Sequence, residues 1–135
     1  MIISIPFYYC QNSAYFLKGL RVAQVKVIFA LPHQLSIADH PQYLAYIEWF
    51  TPFQSFHPVL GMYSVSRSTQ NHRQNIEVVS LSQIIRSCHL LPKFGTLVNK
   101  TWHSDTILDD APGFYLNVWL DLFTFFLLQC SQMII

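Results

Sequence analysis

The sequence predicts an all-β protein: a small barrel of about five strands, with one short helical turn and an apolar C-terminal strand or helix. Three observations carry that prediction. Several short segments alternate apolar and polar residues at period two, as half-buried strands do. Pro32, Pro41, Pro52 and Pro58 end or separate these segments, where a ladder donor is dispensable. The run Ile76 to Gly95, IEVVSLSQIIRSCHLLPKFG, reads as strand, tight turn and second strand, stopping at Pro92 and Gly95.

In order, residues 1–19 are an aromatic-rich, poorly defined leader. Phe7, Tyr8, Tyr9, Tyr15 and Phe16 suit an edge strand or a plug across an open barrel end. The start, MIISIPFYYC, has no basic segment and is broken by Pro6, so it makes a poor signal peptide. The barrel is expected over residues 20–117. Its first strand is Arg21 to Ala30, with Ala23, Val25, Val27 and Phe29 on one face and Gln24 and Lys26 on the other.

After a polar loop, Tyr43 to Phe50 is the second strand, burying Ala45, Ile47 and Trp49 opposite Glu48. Gly61 to Ser68 is the third, with Tyr63 and Val65 alternating with Ser64 and Ser66, and Ile76 to Leu81 is the fourth. Ser82 is the expected N-cap of a single 3₁₀ or α turn over Gln83 to Arg86, too short to stand as a helix alone. Ser87 to Leu91 is the fifth strand, with Cys88 and Leu90 facing in and His89 facing out. The predicted core is Val25, Val27, Phe29, Ile47, Trp49, Val65, Cys88 and Leu90. Thr96 to Gly113 is a loop carrying Trp102, Asp105, Asp109 and Asp110, and residues 118–135 form an apolar tail.

Composition bounds the function. The 135 residues suit one domain; 52% are hydrophobic and 16% aromatic, but only 11% are charged, against about 25% in ordinary soluble domains. So little charge coats a monomer surface poorly. A membrane contact, a missing partner surface or a fragment of a larger protein would each account for it, and the fragment fits best. A net charge of +1 gives no global field toward nucleic acid. Cys10, Cys88 and Cys130 are odd in number and far apart, which fits a reducing, intracellular compartment. Asn99-Lys100-Thr101 matches the glycosylation acceptor pattern, a chance match without a secretory signal.

No residues assemble into a catalytic, cofactor-binding or metal site in this reading. His33 and His40 lie in a polar loop without cysteines or acids at ligand spacing. Glu48 is mid-strand and the aspartates crowd one loop, which suits solvation and capping better than two-metal chemistry. Adjacent Cys88 and His89 point to opposite faces of a strand and cannot pair. The segment 66–75, SRSTQNHRQN, is a solvated hairpin loop in the plainer reading. A weak nucleic-acid or protein contact through Arg67, His72 and Arg73, with Lys93 and Lys100, is the sharper one. The 22 residues Phe114 to Ile135 are long enough to cross a bilayer, with Asp121 as their only charge. A closing strand or helix is favoured over such an anchor.

The runs LRVAQVKVIF, YLAYIEWFTPF, GMYSVSRSTQNHR, VVSLSQIIRSCHLLPKFG, TWHSD and FYLN carry a resemblance. Over about Leu20 to Asn117 the chain resembles the C-terminal β-domain of fungal transposase-like proteins of the Plavaka type. Trp49-Phe50 with Pro52, Ser82-Gln83-Ile84, Cys88-His89-Leu90 and Phe114-Tyr115 are more distantly similar to bromo-adjacent-homology (BAH) domains. The resemblance implies an SH3/BAH-like barrel and a non-catalytic accessory or interaction domain, transposon-derived and nuclear. It implies no catalytic residue, because the nuclease core of such proteins lies upstream of this domain. Its partner would be the rest of the larger protein, met through Arg67 to Arg73 or through an open apolar face. No aromatic cage for methyl-lysine is recognisable.

Overall fold

The computed structural model describes residues 2–4, 20–35, 42–53 and 55–120, which are mostly antiparallel β-structure. The strands are β1 (Ile2–Ser4), β2 (Arg21–Ala30), β3 (Tyr43–Trp49), β4 (Ser55–His57), β5 (Met62–Val65), β6 (Thr69–Gln70) and β7 (Arg73–Gln74). Then come β8 (Ile76–Ser80), β9 (Ile84–Ser87), β10 (Leu90–Pro92), the one-turn helix α1 (Ile107–Asp110) and β11 (Phe114–Leu116). They form a five-stranded sheet in the order β8-β3-β2-β1-β9, a four-stranded sheet β10-β11-β5-β4 and the hairpin β6-β7.

The larger sheet is rolled. Its two edge strands, β8 and β9, are joined by one 3₁₀ turn, Leu81–Gln83. Laid flat, four inter-strand steps of about 4.8 Å would hold the edges about 19 Å apart, whereas four extended residues reach about 14 Å. Moreover, Ser80 lies beside Leu44 and Ile84 beside Ser4, which β2 meets at opposite ends. Only a strongly coiled sheet reconciles the two. Among the described residues β8 and β9 share no ladder, so the roll is open.

The bend is built into β2. Val25 pairs with Ile47, but Val27 pairs with Tyr46, so Lys26 is the extra residue of a β-bulge. A one-residue slip exchanges the two faces of everything beyond it. Val27 and Phe29, expected in the core, are therefore turned out, 53% and 37% exposed. Ile28 now faces as Ala45 does, but at the end of the strand it too stays exposed.

Two apolar clusters lie on the two sides of this sheet. Ala23, Ala45, Ile47, Trp49 and Val79 fill the inside of the roll, with Val25, Leu81 and Ile84 packed against them. Leu20, Val22 and Phe50 meet Val65, Leu90, Phe114 and Leu116 of the second sheet across its outer side. Phe50 and Phe114 are edge-to-face with ring centroids 5.7 Å apart. Ile47, Trp49, Val65 and Leu90 are buried as the sequence predicts, and Val25 and Cys88 partly so.

Other expectations shift. The third strand is shorter, Met62–Val65, and belongs to the second sheet. The fifth divides at Cys88-His89, β9 joining the roll and β10 the second sheet. The 3₁₀ turn starts earlier and its cap is Ser80, whose hydroxyl accepts from Ser82 N, because Ser80 is the last extended residue. The loop before Gly113 holds α1. The expected leader supplies β1, between β2 and β9. The apolar stretch from Phe114 begins as a strand, β11, at the end of the expected barrel segment, and Val118, the first residue of the expected tail, is buried. The readings of Phe7, Tyr8, Tyr9, Cys10, Tyr15, Phe16, His40, Asp121 and Cys130 lie outside the described residues. No helix among the described residues is long and apolar enough to cross a membrane.

Candidate functional site

The outer face of the rolled sheet has three zones, set by the register of β2, β3 and β8. At one end the second sheet covers Val22 and Phe50. In the middle, Gln24 and Glu48 are paired across the strands and meet Arg67, which follows β5. At the other end Val27, Tyr46 and Val78 form one row and Phe29, Leu44 and Ser80 the next. Exposure there is high, with Val27, Phe29 and Val78 37–53% exposed, and Ile76, in the middle row beside Glu48, is 49% exposed.

Arg67 is the hub of the middle zone. Its Nη1 donates to Glu48 Oε2 at 2.6 Å, its Nε to the Leu108 carbonyl at 3.0 Å and its Nη2 to Gln24 Oε1 at 2.9 Å. Nη2 also donates to Asp109 Oδ1. Lys26, pushed out by the bulge, bridges the same two carboxylates, at 3.5 Å from Glu48 and 3.1 Å from Asp109. The guanidinium's fork geometry ties two strands to α1, and a lysine could not make these contacts at once. Arg67 is thereby committed to the fold and withdrawn from the loop surface on which the sequence reading placed it.

The rest of that loop is a tight hairpin. Asn71 and His72 have φ of 51° and 60°, the left-handed pair of a type I′ turn between Gln70 and Arg73. Asparagine tolerates this conformation best among residues with a side chain. His72 and Arg73 are exposed at its tip, and Lys100 is exposed on the loop before α1. Lys93 stands apart, beyond β10. The five predicted contact residues thus sit on four separate elements.

Lys93 instead lines a shallow cleft of about 330 Å³, with Thr51, Pro52, Ser55, Ser64, Ser66, Pro112 and Gly113. The second sheet's ladders explain the set. Leu91, Tyr115, Ser64 and Ser55 form one row across its outer face. Lys93 N donates to Gly113 O and Thr51 N to Ser66 O, extending the next row. Lys93 Nζ donates to Ser64 Oγ and lies 4.8 Å from the Tyr115 ring centroid. The sequence marked Ser64 and Ser66 as one polar face but gave no sign that Thr51 and Gly113 would join them.

Cys88 and His89 form the connection between β9 and β10 rather than part of a strand, and they have different surroundings. Cys88 packs on the inter-sheet core, while His89 is exposed, its Nδ1 3.4 Å from Asn117 Nδ2. Burial pushes the Cys88 thiol up from 9.0 to about 11. Its alkylation by iodoacetamide at pH 8 is expected to be about a hundredfold slower in folded than in unfolded protein. Because the folded pKa is the higher one, the stability due to a neutral Cys88 is fully present below about pH 9. It is lost as pH rises toward 11. Cys88→Ala should flatten that part of a stability–pH curve followed by urea unfolding.

Among the described residues no three His, Cys, Asp or Glu side chains are grouped to hold a metal ion. The acidic loop contributes Asp109 to the Arg67 hub instead. No protein-family model matches this chain, and no curated protein or solved structure matches it either.

Proposed function

We propose that this chain is a non-catalytic interaction domain, an SH3/BAH-like barrel derived from a transposase-like protein whose remainder is its partner. The observation that carries the reading is the open apolar zone beside an edge strand. Val27, Phe29, Ile76 and Val78 stand on one exposed face, and β8 bounds the sheet. Beside them lies a cleft of about 540 Å³ lined by Gln42, Tyr43, Leu44 and Ser80–Ser82. An extended apolar protein segment suits such a place: its backbone adds to the edge of β8, which among the described residues pairs only with β3, and its alternate side chains meet Ile76 and Val78. The barrel reading draws on five strands rolled together, with a short helical turn before the last. A nuclear location goes with a transposase origin.

The genomic DNA upstream of this frame tests the origin. A nuclease-like frame or its remnant supports it, and an intergenic stretch with neither counts heavily against it. The face is tested with the upstream product as ligand. Val78→Lys should weaken its binding about tenfold or more while leaving the unfolding midpoint within a few degrees, because Val78 is half-exposed. Equal binding by both proteins would sink the assignment of the face.

A further inference from the structure

We propose that the cleft over Gly113 is a binding site for a phosphate-type oxyanion, a second site on the opposite sheet from the partner face. The cation comes first. Arg67, half-buried over the other sheet, is paired with carboxylates, as is Lys26 beside it. Lys93 is also half-buried, yet among the described residues it has no carboxylate partner, and the cleft it lines contains no acid. A partly desolvated ammonium without a counter-charge is costly unless an anion arrives.

The hydroxyls around it can donate. Ser64 Oγ already accepts from Lys93 Nζ, and Thr51 Oγ1 accepts from Ser66 N at 3.1 Å. Each still has its O–H proton to give, beside one remaining lone pair. Ser55 and Ser66 add two more hydroxyls on the same lining. One ammonium and four hydroxyls without a carboxylate make a donor-rich pocket, which selects an oxyanion over a cation or a neutral polar group.

Glycine makes the space. A Cβ at Gly113 would stand 3.3 Å from Lys93 Cδ and 3.6 Å from the Val65 carbonyl oxygen. The absent side chain lets the Lys93 stem lie flat between Gly113 and Tyr115, so the ammonium is pre-positioned rather than free to swing. The cleft exceeds one phosphate ion in size, and the Tyr115 ring at its side could carry an apolar group attached to that phosphate.

The test is a titration of the full chain with inorganic phosphate and, separately, phenyl phosphate, read from backbone amide shifts of Ser66, Gly113 and Tyr115. Saturable shifts at these positions are expected with at least one probe. Equal affinity would identify the free ion as ligand, and tighter phenyl phosphate an organic phosphate monoester. Lys93→Gln should weaken binding about tenfold or more, and Ser64→Ala several-fold. Both variants should keep the wild-type unfolding midpoint within a few degrees. No saturable shift with either probe at 20 mM, taken as roughly the weakest useful range, would overturn the proposal. So would unchanged affinity in a folded Lys93→Gln protein.

Discussion

Replacing Phe114 with alanine should cost about 3–5 kcal/mol, a large share of the roughly 5–15 kcal/mol by which a domain is stable. Phe114 is fully buried in the cluster that joins the two sheets, and its ring meets Phe50 edge-to-face. Nothing nearby can fill the hole cheaply. On one side stands Phe50, whose N–H is fixed on the Val22 carbonyl at 3.0 Å. On the other is the ladder of β11 with β5 and β10. The effect has a location as well as a size. The inside of the roll is a separate cluster, so Ala45 and Ile47 should stay protected from hydrogen exchange longer than Leu90 and Leu116 in this variant. Phe114→Leu, which keeps most of the volume, should cost about 1–2 kcal/mol. A Phe114→Ala protein within about 1 kcal/mol of wild type in urea unfolding would mean that the two sheets are not held together by this cluster.

The second large effect belongs to Arg67. Arg67→Met keeps the stem but leaves Glu48 and the Leu108 carbonyl without their donor. The side chains of Arg67 and Glu48 are only 21% and 17% exposed, so water replaces the lost bonds poorly. A loss of about 2–3 kcal/mol is expected, short of the full cost of breaking a wholly buried pair. Lys26 stays within 3.5 Å of Glu48 and softens the loss. Removing both charges, Arg67→Met with Glu48→Leu, should cost less than the single change, since the deserted carboxylate is gone. That ordering, measured by urea unfolding, separates an electrostatic hub from simple packing. If the double variant is the sum of its singles, the coupling is absent.

These two residues show how unevenly the sequence could be read. Period-two alternation placed Ala45, Ile47, Trp49, Val65 and Leu90 on buried faces, because a regular strand transmits its phase along its length. The same rule failed at Val27 and Phe29: a bulge is decided by pairing with β3, and no residue in RVAQVKVIF announces it. Turn chemistry was legible to within a residue or two at the 3₁₀ segment, since Ser80 and Ser82 are both competent caps and only the backbone chooses between them. The partition into two sheets was not legible. It depends on where the chain crosses, at Phe50 and at Cys88-His89, and local pattern is silent about which sheet a strand enters. The candidate sites suffered for the same reason. Arg67 looked like a loop cation because its partners, Glu48 and Asp109, are 19 and 42 residues away. Lys93 was noticed for its charge, but the hydroxyls and the glycine beside it come from other strands and connections.

The position of β1 between β2 and β9 has a consequence in time. A ribosome makes Ile2–Ser4 before either of its neighbours, and one of them, Ile84–Ser87, follows about eighty residues later. At roughly 5–20 residues per second, that is a delay of about 4–16 s. Through that interval β1 has only β2 to pair with, and an open ladder edge is where wrong partners attach. The five-stranded sheet is thus completed by one of the last strands to be made, a non-local pairing that slows folding. Synthesis of this protein leaves a window for misassembly at its N-terminal strand, which closes when β9 arrives.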